Sequence, residues 1–556
     1  MKPFIIRFIV LALLTGNCFA YQDGIRVAWD YRQCRFVNRG SYARVKKLTD
    51  NRLALVYDAG GRLYIRFASA HNDAWGSPVE VAKDNAGIYN YTNSELIELR
   101  NGTLLYAWNA RPKQLNGGDN PYRIMIKMSD NGGATWTNEQ NLYQAGNDFG
   151  NGCWEPAFLQ LPSGELQIYF ADESPYTDSN EQQISLLRSF DNGATWTAAQ
   201  KVCFRAGSRD GMPVPVYLQD NKGIVMAIED NGINGAFKPV IIHSSVEDNW
   251  SDYVSAESLH RRHALRSDCR LAAEVAAGAP YLIQLHSGET VLSMQSGEGR
   301  HPKNTHTHAN MQVYIGSNEA KDFSRNSSPF PWLPPYAKAL WSSLCQTSDT
   351  TVVAVSSVGG LPGQNGVWIA IGHIMQPLEI HQKTSAGWGN CTSIFVGAMS
   401  QASMRLKALW DNDSLYLRFD VKDSVQTIVP NGNPVWNSDG VEIFLNPENR
   451  NSCYSDVYKM AVNINGETHF RRRINDEWLD NPVETNIKID RNAKGYSITL
   501  VIPWNGIGRT WPPADSFGIH LKLHNNDNGV ITHDELSGGN PDLLQTWLKT
   551  TLLQTI

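Results

Sequence analysis

Several things are scarce in this chain of 556 residues, and each scarcity narrows the reading. Charge of either sign is scarce: the formal net charge is -6, with no basic stripe and no acidic tail, so neither nucleic acid nor a strongly charged partner is expected. Long apolar runs are absent after the first twenty residues, so no membrane span is expected. Cysteine is limited to eight residues with no CxxC pair, which leaves no zinc signature and no metal site to expect in catalysis. Helical periodicity is almost missing. Alternating strand patterns and Gly- or Asn-bearing turns take its place.

The start, MKPFIIRFIVLALLTGNCFAYQDG, joins a basic end to a short apolar run and a small-residue site at Cys18-Phe19-Ala20. It reads as a secretory signal over residues 1–20, which implies a secreted or periplasmic protein. Cys18 leaves a lipid-anchored outer-surface protein as the alternative. Removal of the leader leaves seven cysteines, an odd number whose pairing the sequence does not fix.

One template then fits six times: a polar or special residue, a short strand, a turn, a second strand. Its first positions are Tyr42, Asn93, Glu155, Met212, Ala279 and Trp341, about 50 to 67 residues apart. Each interval has room for two more strands. Six four-stranded units without helices predict an all-β chain that opens with a six-bladed β-propeller over residues 21–376. Two octets, SDNGGATW at 129–136 and SFDNGATW at 189–196, follow third strands. They resemble the Asp-box of sialidase-like propellers. The second copy matches fully; the first has Asn131 in place of the Asp. Asp191 is expected to close a turn, and Trp196 to plug between strands, with no catalytic part for either.

After about residue 376 the spacing changes. Residues 385–556 read as a β-sandwich, and Trp436-Asn437-Ser438-Asp439-Gly440-Val441-Glu442 with Gly495-Tyr496 through Pro503-Trp504 resembles the family 9 carbohydrate-binding modules. That resemblance implies sugar binding, with Trp436 as a stacking ring, and structural calcium in the C-terminal unit. A buried structural Trp436 is the alternative.

A propeller binds ligands at one mouth of its channel. The first positions of the inner strands, and the last positions of the second strands (Asp58, Asn109, Glu229 and Gln295), face one mouth by topology; the octets face the other. Glu155 and Glu229, from adjacent units, are therefore the catalytic candidates: glycoside hydrolysis needs one carboxyl to protonate the leaving oxygen and another to attack or to activate water. Substrate-binding candidates are Arg44, Asn93, Trp154, Asp58 and Trp341, with Trp436 in the sandwich. Residues 153–173 and 211–230 resemble the exo-arabinanases of glycoside hydrolase family 93, whose two catalytic glutamates match Glu155 and Glu229. The resemblance implies an exported, retaining, exo-acting hydrolase of an arabinan-like polysaccharide or oligosaccharide, with no cofactor for catalysis. An exo-α-sialidase is one alternative, drawing on Arg44, Arg261, Arg262, Arg266, Arg270, Arg300 and Tyr336. A non-catalytic glycan-binding propeller is the other. His301, His306 and His308 are expected to form a polar funnel loop rather than a metal site. A monomer is expected.

Overall fold

The computed structural model describes residues 24–553 except 31–33, 70–73, 234, 376–377, 386, 390, 398–401, 431–432, 448–455, 475–476, 510–515 and 537–546. The leader expected at 1–20, and Cys453, lie outside the described residues. Among those described there is no α-helix, only strands and short 3-10 turns.

Six antiparallel sheets follow one another along the chain, and each runs from an inner strand outwards in sequence order. The inner strands are Ser41–Lys47, Tyr89–Glu98, Cys153–Gln160, Asp210–Tyr217, Ala277–Gln284 and Lys338–Ser348. The last sheet takes its outer strand from the other end of the unit: Arg26–Trp29 pairs antiparallel with Gly366–Met375, Arg26 opposite Met375 and Trp29 opposite Gly372. A short RVAW segment thus closes the ring. The six hairpins alone do not announce this closure. First and last blades also meet at the axis, where the Tyr42 N–H donates to Ser357 Oγ at 2.9 Å and Ser343 Oγ to the Ala43 carbonyl at 3.2 Å. Apolar side chains fill the wedges between blades, with Trp108, Tyr169, Phe170, Trp250 and Phe330 fully buried.

Every inner strand is bulged at the same place. Register breaks fall between Ser41 and Arg44, Thr92 and Glu95, Trp154 and Ala157, Gly211 and Val214, Gly278 and Tyr281, and Leu340 and Ser343. The residue inside each break is left-handed: Tyr42 φ 49°, Asn93 57°, Glu155 47°, Met212 50°, Ala279 46°, Trp341 51°. These are the six aligned first positions of the sequence repeat. A bulge sets two residues against one and re-aims the extra side chain, here towards the axis.

The octets sit where the register puts them, far from that ring. Ser129 and Ser189 lie opposite Leu104 and Leu166, the first residues of their neighbouring strands. Asp191 accepts the Thr195 N–H at 2.9 Å and the Thr195 hydroxyl at 2.6 Å, while Ser189 Oγ accepts the Gly193 N–H at 2.8 Å. Asn131 reproduces the turn: its Oδ1 accepts the Thr135 N–H at 2.9 Å and its Nδ2 donates to Thr135 Oγ1 at 2.7 Å.

The second unit is a two-layered sandwich. One layer contains Gly440–Asn446, Val457–Asn463, Thr468–Ile474 and Ser516–Asp527; the other contains Ser403–Trp410, Ser414–Lys422, Asn486–Asn492 and Gly495–Pro503. Leu378–Gln382, ahead of residue 385, already belongs to it, pairing in parallel with both Leu548–Leu553 and Ser403–Trp410. Strict alternation sends Leu415, Leu417, Phe419 and Val421 into the core, with Trp504 and Phe517 opposite.

Candidate functional site

The six bulged residues surround one mouth of the channel. A cavity of about 590 Å³ opens there, lined by five of them (Tyr42, Asn93, Glu155, Met212 and Trp341) together with Glu229 from the end of its strand. Tyr42, Met212, Ala279 and Trp341 form an apolar cluster at its base, the Tyr42 and Trp341 rings 6.5 Å apart.

Glu155 and Glu229 reach this cavity from adjacent blades. The Glu155 side chain is 18% exposed, with the Arg111 guanidinium 3.8 Å from Oε1. Burial first, then the charges of Glu229 and Glu173, push its pKa up to about 7 against the opposing pull of Arg111 and Arg209. Glu229 is fixed more tightly. Its Oε2 accepts the Ala279 N–H at 2.7 Å, made available by the bulge in the next blade. Burial raises its pKa, while that N–H and Arg209 act the other way. Two glycines make room for it: a Cβ on Gly278 would stand 2.4 Å from Oε2, and one on Gly211 3.1 Å from Oε1. A methyl group at Gly278 would displace the carboxylate.

Of the substrate-binding candidates, the structure brings Asn93 and Trp341 onto the cavity wall. The Asn93 amide oxygen accepts a short hydrogen bond from Arg111. Three others brace the ring from behind. Asp58, 7% exposed, accepts Ser41 Oγ at 2.7 Å and Thr92 Oγ1 at 2.9 Å, tying blade one to blade two. Arg44 lies under the floor: it donates to the Trp341 carbonyl at 2.9 Å and holds its guanidinium 4.0 Å from the Tyr42 ring centroid. Trp154 packs against Tyr122 and Phe149, ring centroids at 4.9 and 5.0 Å. Its Arg111 contact, 4.7 Å from the ring centre, keeps that guanidinium beside Glu155. Trp436 belongs to the sandwich, half-buried with the His469 ring at 5.4 Å.

Sequence reasoning missed Arg111, Asn231 and Phe237 on the cavity wall, which also carries Asn304–His306 from the stretch expected as a polar funnel loop. Arg111 had a usable signal, two residues beyond Asn109 at the end of a second strand; Asn231 and Phe237 had none. Also missed was the pair behind the glutamates, in which half-buried Arg209 bonds buried Glu173 and donates to Gln182 Oε1 at 2.6 Å. His306 lines the funnel, whereas His308 Nδ1 lies 3.0 Å from the His301 carbonyl. Among the described residues no group of three His, Cys, Asp or Glu side chains is arranged to hold a metal. The six described cysteines are free thiols. Of the arginines considered for a carboxylate-binding triad, Arg261 pairs with Asp210 and Asp230, Arg266 with Asp268, and Arg262 and Arg300 donate to the Glu319 and Pro334 carbonyls. Tyr336 is 64% exposed and off the cavity.

In the sandwich, Asp439 is pushed up to about 6 by burial and by the charges of Asp423 and Asp527. Asp423 Oδ2 and Asn525 Oδ1 are buried without hydrogen-bond partners. All-oxygen donors of this kind suit a hard cation such as calcium.

A profile of the carbohydrate family 9 binding domain-like proteins matches residues 381–541, and one of the BNR repeat-like domain matches residues 102–214. No curated protein matches the chain. Among solved structures, the family 93 α-L-arabinofuranosidase of Fusarium graminearum in complex with arabinobiose is 18% identical, covering 60% of this chain and 92% of that one, with a TM-score of 0.46. A Hadza microbial sialidase is 13% identical over 60% of this chain and 65% of its own, TM-score 0.42. A family 9 carbohydrate-binding module from Caldicellulosiruptor kristjanssonii in complex with cellotriose is 16% identical over 32% of this chain and 94% of its own, TM-score 0.27. The BNR repeat-like match thus falls within the propeller and the family 9 binding domain-like match within the sandwich.

Proposed function

We propose that this is an exported, retaining glycoside hydrolase that acts on the ends of a neutral, arabinan-like polysaccharide or oligosaccharide. One observation carries the reading: Glu155 and Glu229 line one cavity in unequal environments, the first with its pKa raised to about 7 and the second held by the Ala279 N–H. Unequal carboxyls in one site are what a double displacement uses. Glu229 attacks the anomeric carbon as the Glu155 carboxylic acid protonates the departing oxygen. The Glu155 carboxylate then takes a proton from water, and that water releases the sugar from Glu229 with its configuration retained.

The cavity's charge supports a neutral sugar. Among the described residues its one lining arginine, Arg111, is already engaged by Asn93 and faces Glu155, and no guanidinium cluster stands ready for a sialic acid carboxylate. The apolar floor supports exo action, because a chain entering from the mouth ends there. In the sandwich, Trp436 would stack on a sugar, and a structural calcium would find two unpartnered buried oxygens, Asp423 Oδ2 and Asn525 Oδ1.

The test is an incubation of the purified protein with linear arabinan, arabino-oligosaccharides and sialyl-lactose. Products are resolved by chromatography and the anomeric proton is followed by NMR. Release of a short neutral product with retained configuration is expected. Release of sialic acid, or tight binding with no product from any of the three, overturns the reading.

A further inference from the structure

The outer face of one sandwich layer, the sheet that does not carry Trp436, holds a second cavity, of about 640 Å³. Its shape follows from the register. Ser403, Lys422, Gly495 and Asn492 form one row across four strands, and Arg405, Asp420, Ser497 and Asp490 the next. Small residues on the central strand make the floor. Long side chains on the strands to either side make the walls. Gly495 is obligatory to the floor: at φ 148° a Cβ would stand 1.9 Å from the Val421 carbonyl oxygen.

The charge of this trough runs against that of the chain. Four cations, Arg405, Arg418, Lys422 and Lys494, line it against two carboxylates, in a protein of net charge -6. Both carboxylates are already matched: Asp420 by Arg418 at 2.8 Å, Asp490 by Lys488 at 3.2 Å. Among the described residues Arg405 reaches the Ser393 hydroxyl, at 3.4 Å, and lies over the Phe395 ring, 5.5 Å from its centroid. Lys422 and Lys494 are exposed, and no carboxylate among the described residues pairs with either. The uncompensated charge therefore gathers on one side of a grooved sheet.

We propose that this trough binds a carboxylated polysaccharide, independently of both the propeller funnel and the Trp436 face. Charge complementarity fixes the sign of the occupant. Asp420 and Asp490 stand inside the groove and would repel a densely charged polymer such as nucleic acid or a sulfated chain. A polymer with spaced carboxylates can place them on Arg405, Lys422 and Lys494. Its hydroxyls would meet Ser403, Ser497 and Asn492, which offer hydroxyl and amide partners between the charges.

The experiment uses the full chain and polygalacturonate as the probe, with binding followed by calorimetry and affinity electrophoresis at low and at physiological salt. Binding that weakens with salt is expected, lost by at least about tenfold in the double variant Lys422→Glu, Lys494→Glu and kept in Trp436→Ala. Hydrolysis in the funnel of the double variant should match the parent. Absence of polygalacturonate binding, or equal binding by parent and double variant, overturns the proposal. So does equally tight retention on heparin, duplex DNA or anionic lipid vesicles, since each would mark a general polyanion or membrane surface.

Discussion

Replacing Glu155 by glutamine tests the electrostatics of the funnel without asking for turnover. In the folded protein the Glu155 carboxyl titrates at about 7, against 4.5 for an ordinary glutamate. Between those values the folded state binds more protons than the unfolded one, so stability falls as pH rises from about 4.5 to about 7 and stays reduced above. The shift corresponds to about 3 kcal/mol, carried in full at pH 8 and absent at pH 4. Glutamine has the shape of the protonated acid and never charges. Glu155→Gln should therefore equal the parent near pH 4 and exceed it by about 3 kcal/mol near pH 8, a rise of several degrees in the propeller's melting transition. Calorimetry across pH 4 to 9 reads it, with the sandwich transition as the internal control. The same proton is the one the proposed mechanism spends, so the parent's kcat/KM should decline as pH passes about 7. Parallel loss of stability in parent and variant between pH 5 and 8 would refute the placement of the titrating proton on Glu155.

Three further outcomes are expected. Glu229→Ala should abolish turnover while calorimetry still detects oligosaccharide binding, since the nucleophile goes but Asn93, Trp341 and the floor remain. Asp191→Ala should lower the melting temperature with kcat unchanged, because Asp191 closes a turn at the far end of the blade. Its carboxyl is held at about 2, chiefly by the Thr195 hydroxyl and then by the Thr195 N–H, so the turn's contribution is present above about pH 4 and fades as pH falls towards 2, whereas the Asn131 turn does not titrate. Trp436→Ala should weaken sugar binding to the sandwich by about 1 kcal/mol, roughly fivefold in Kd, with funnel activity intact.

Much of this was legible in the sequence, and the remainder was hidden for identifiable reasons. The repeat of strand, turn and strand exposed six blades, because alternation and turn residues are local signals. The octets exposed their own turns for the same reason. Glu155 and Glu229 were legible because topology alone places both at one mouth. Closure by Arg26–Trp29 was not, since a four-residue strand paired more than 300 residues away leaves no local trace. Asp58 stands in the same register as Glu229 but is taken up by Ser41 and Thr92. Arg44 and Trp154 lie within two residues of a ring position, yet neither lines the cavity. Side chains alternate along a strand, and a single inserted residue flips that alternation. Without knowledge of the bulge, Trp154 and Glu155 cannot be sorted into wall and lining.

The bulge also explains why the site stands where it does. Left-handed backbone is costly for a residue with a Cβ, on the order of 1 to 3 kcal/mol at each position. Here it recurs six times, at Tyr42, Asn93, Glu155, Met212, Ala279 and Trp341, and at none of the six is the residue a glycine. A glycine would relieve the strain but would bring no side chain to the axis. The strain is over-determined from outside: Asp58 ties blade one to blade two, Arg44 ties the first blade to the Trp341 carbonyl, and the Arg209–Glu173 pair backs blades three and four. The same bulge then serves two purposes, in blades three and five. At Glu155 it aims a carboxyl into the cavity, and at Ala279 it frees the N–H that Glu229 accepts. The fold's repeated irregularity supplies both carboxyls with their positions. Their unequal chemistry comes from what each meets there, a guanidinium at 3.8 Å for Glu155 and a backbone N–H at 2.7 Å for Glu229.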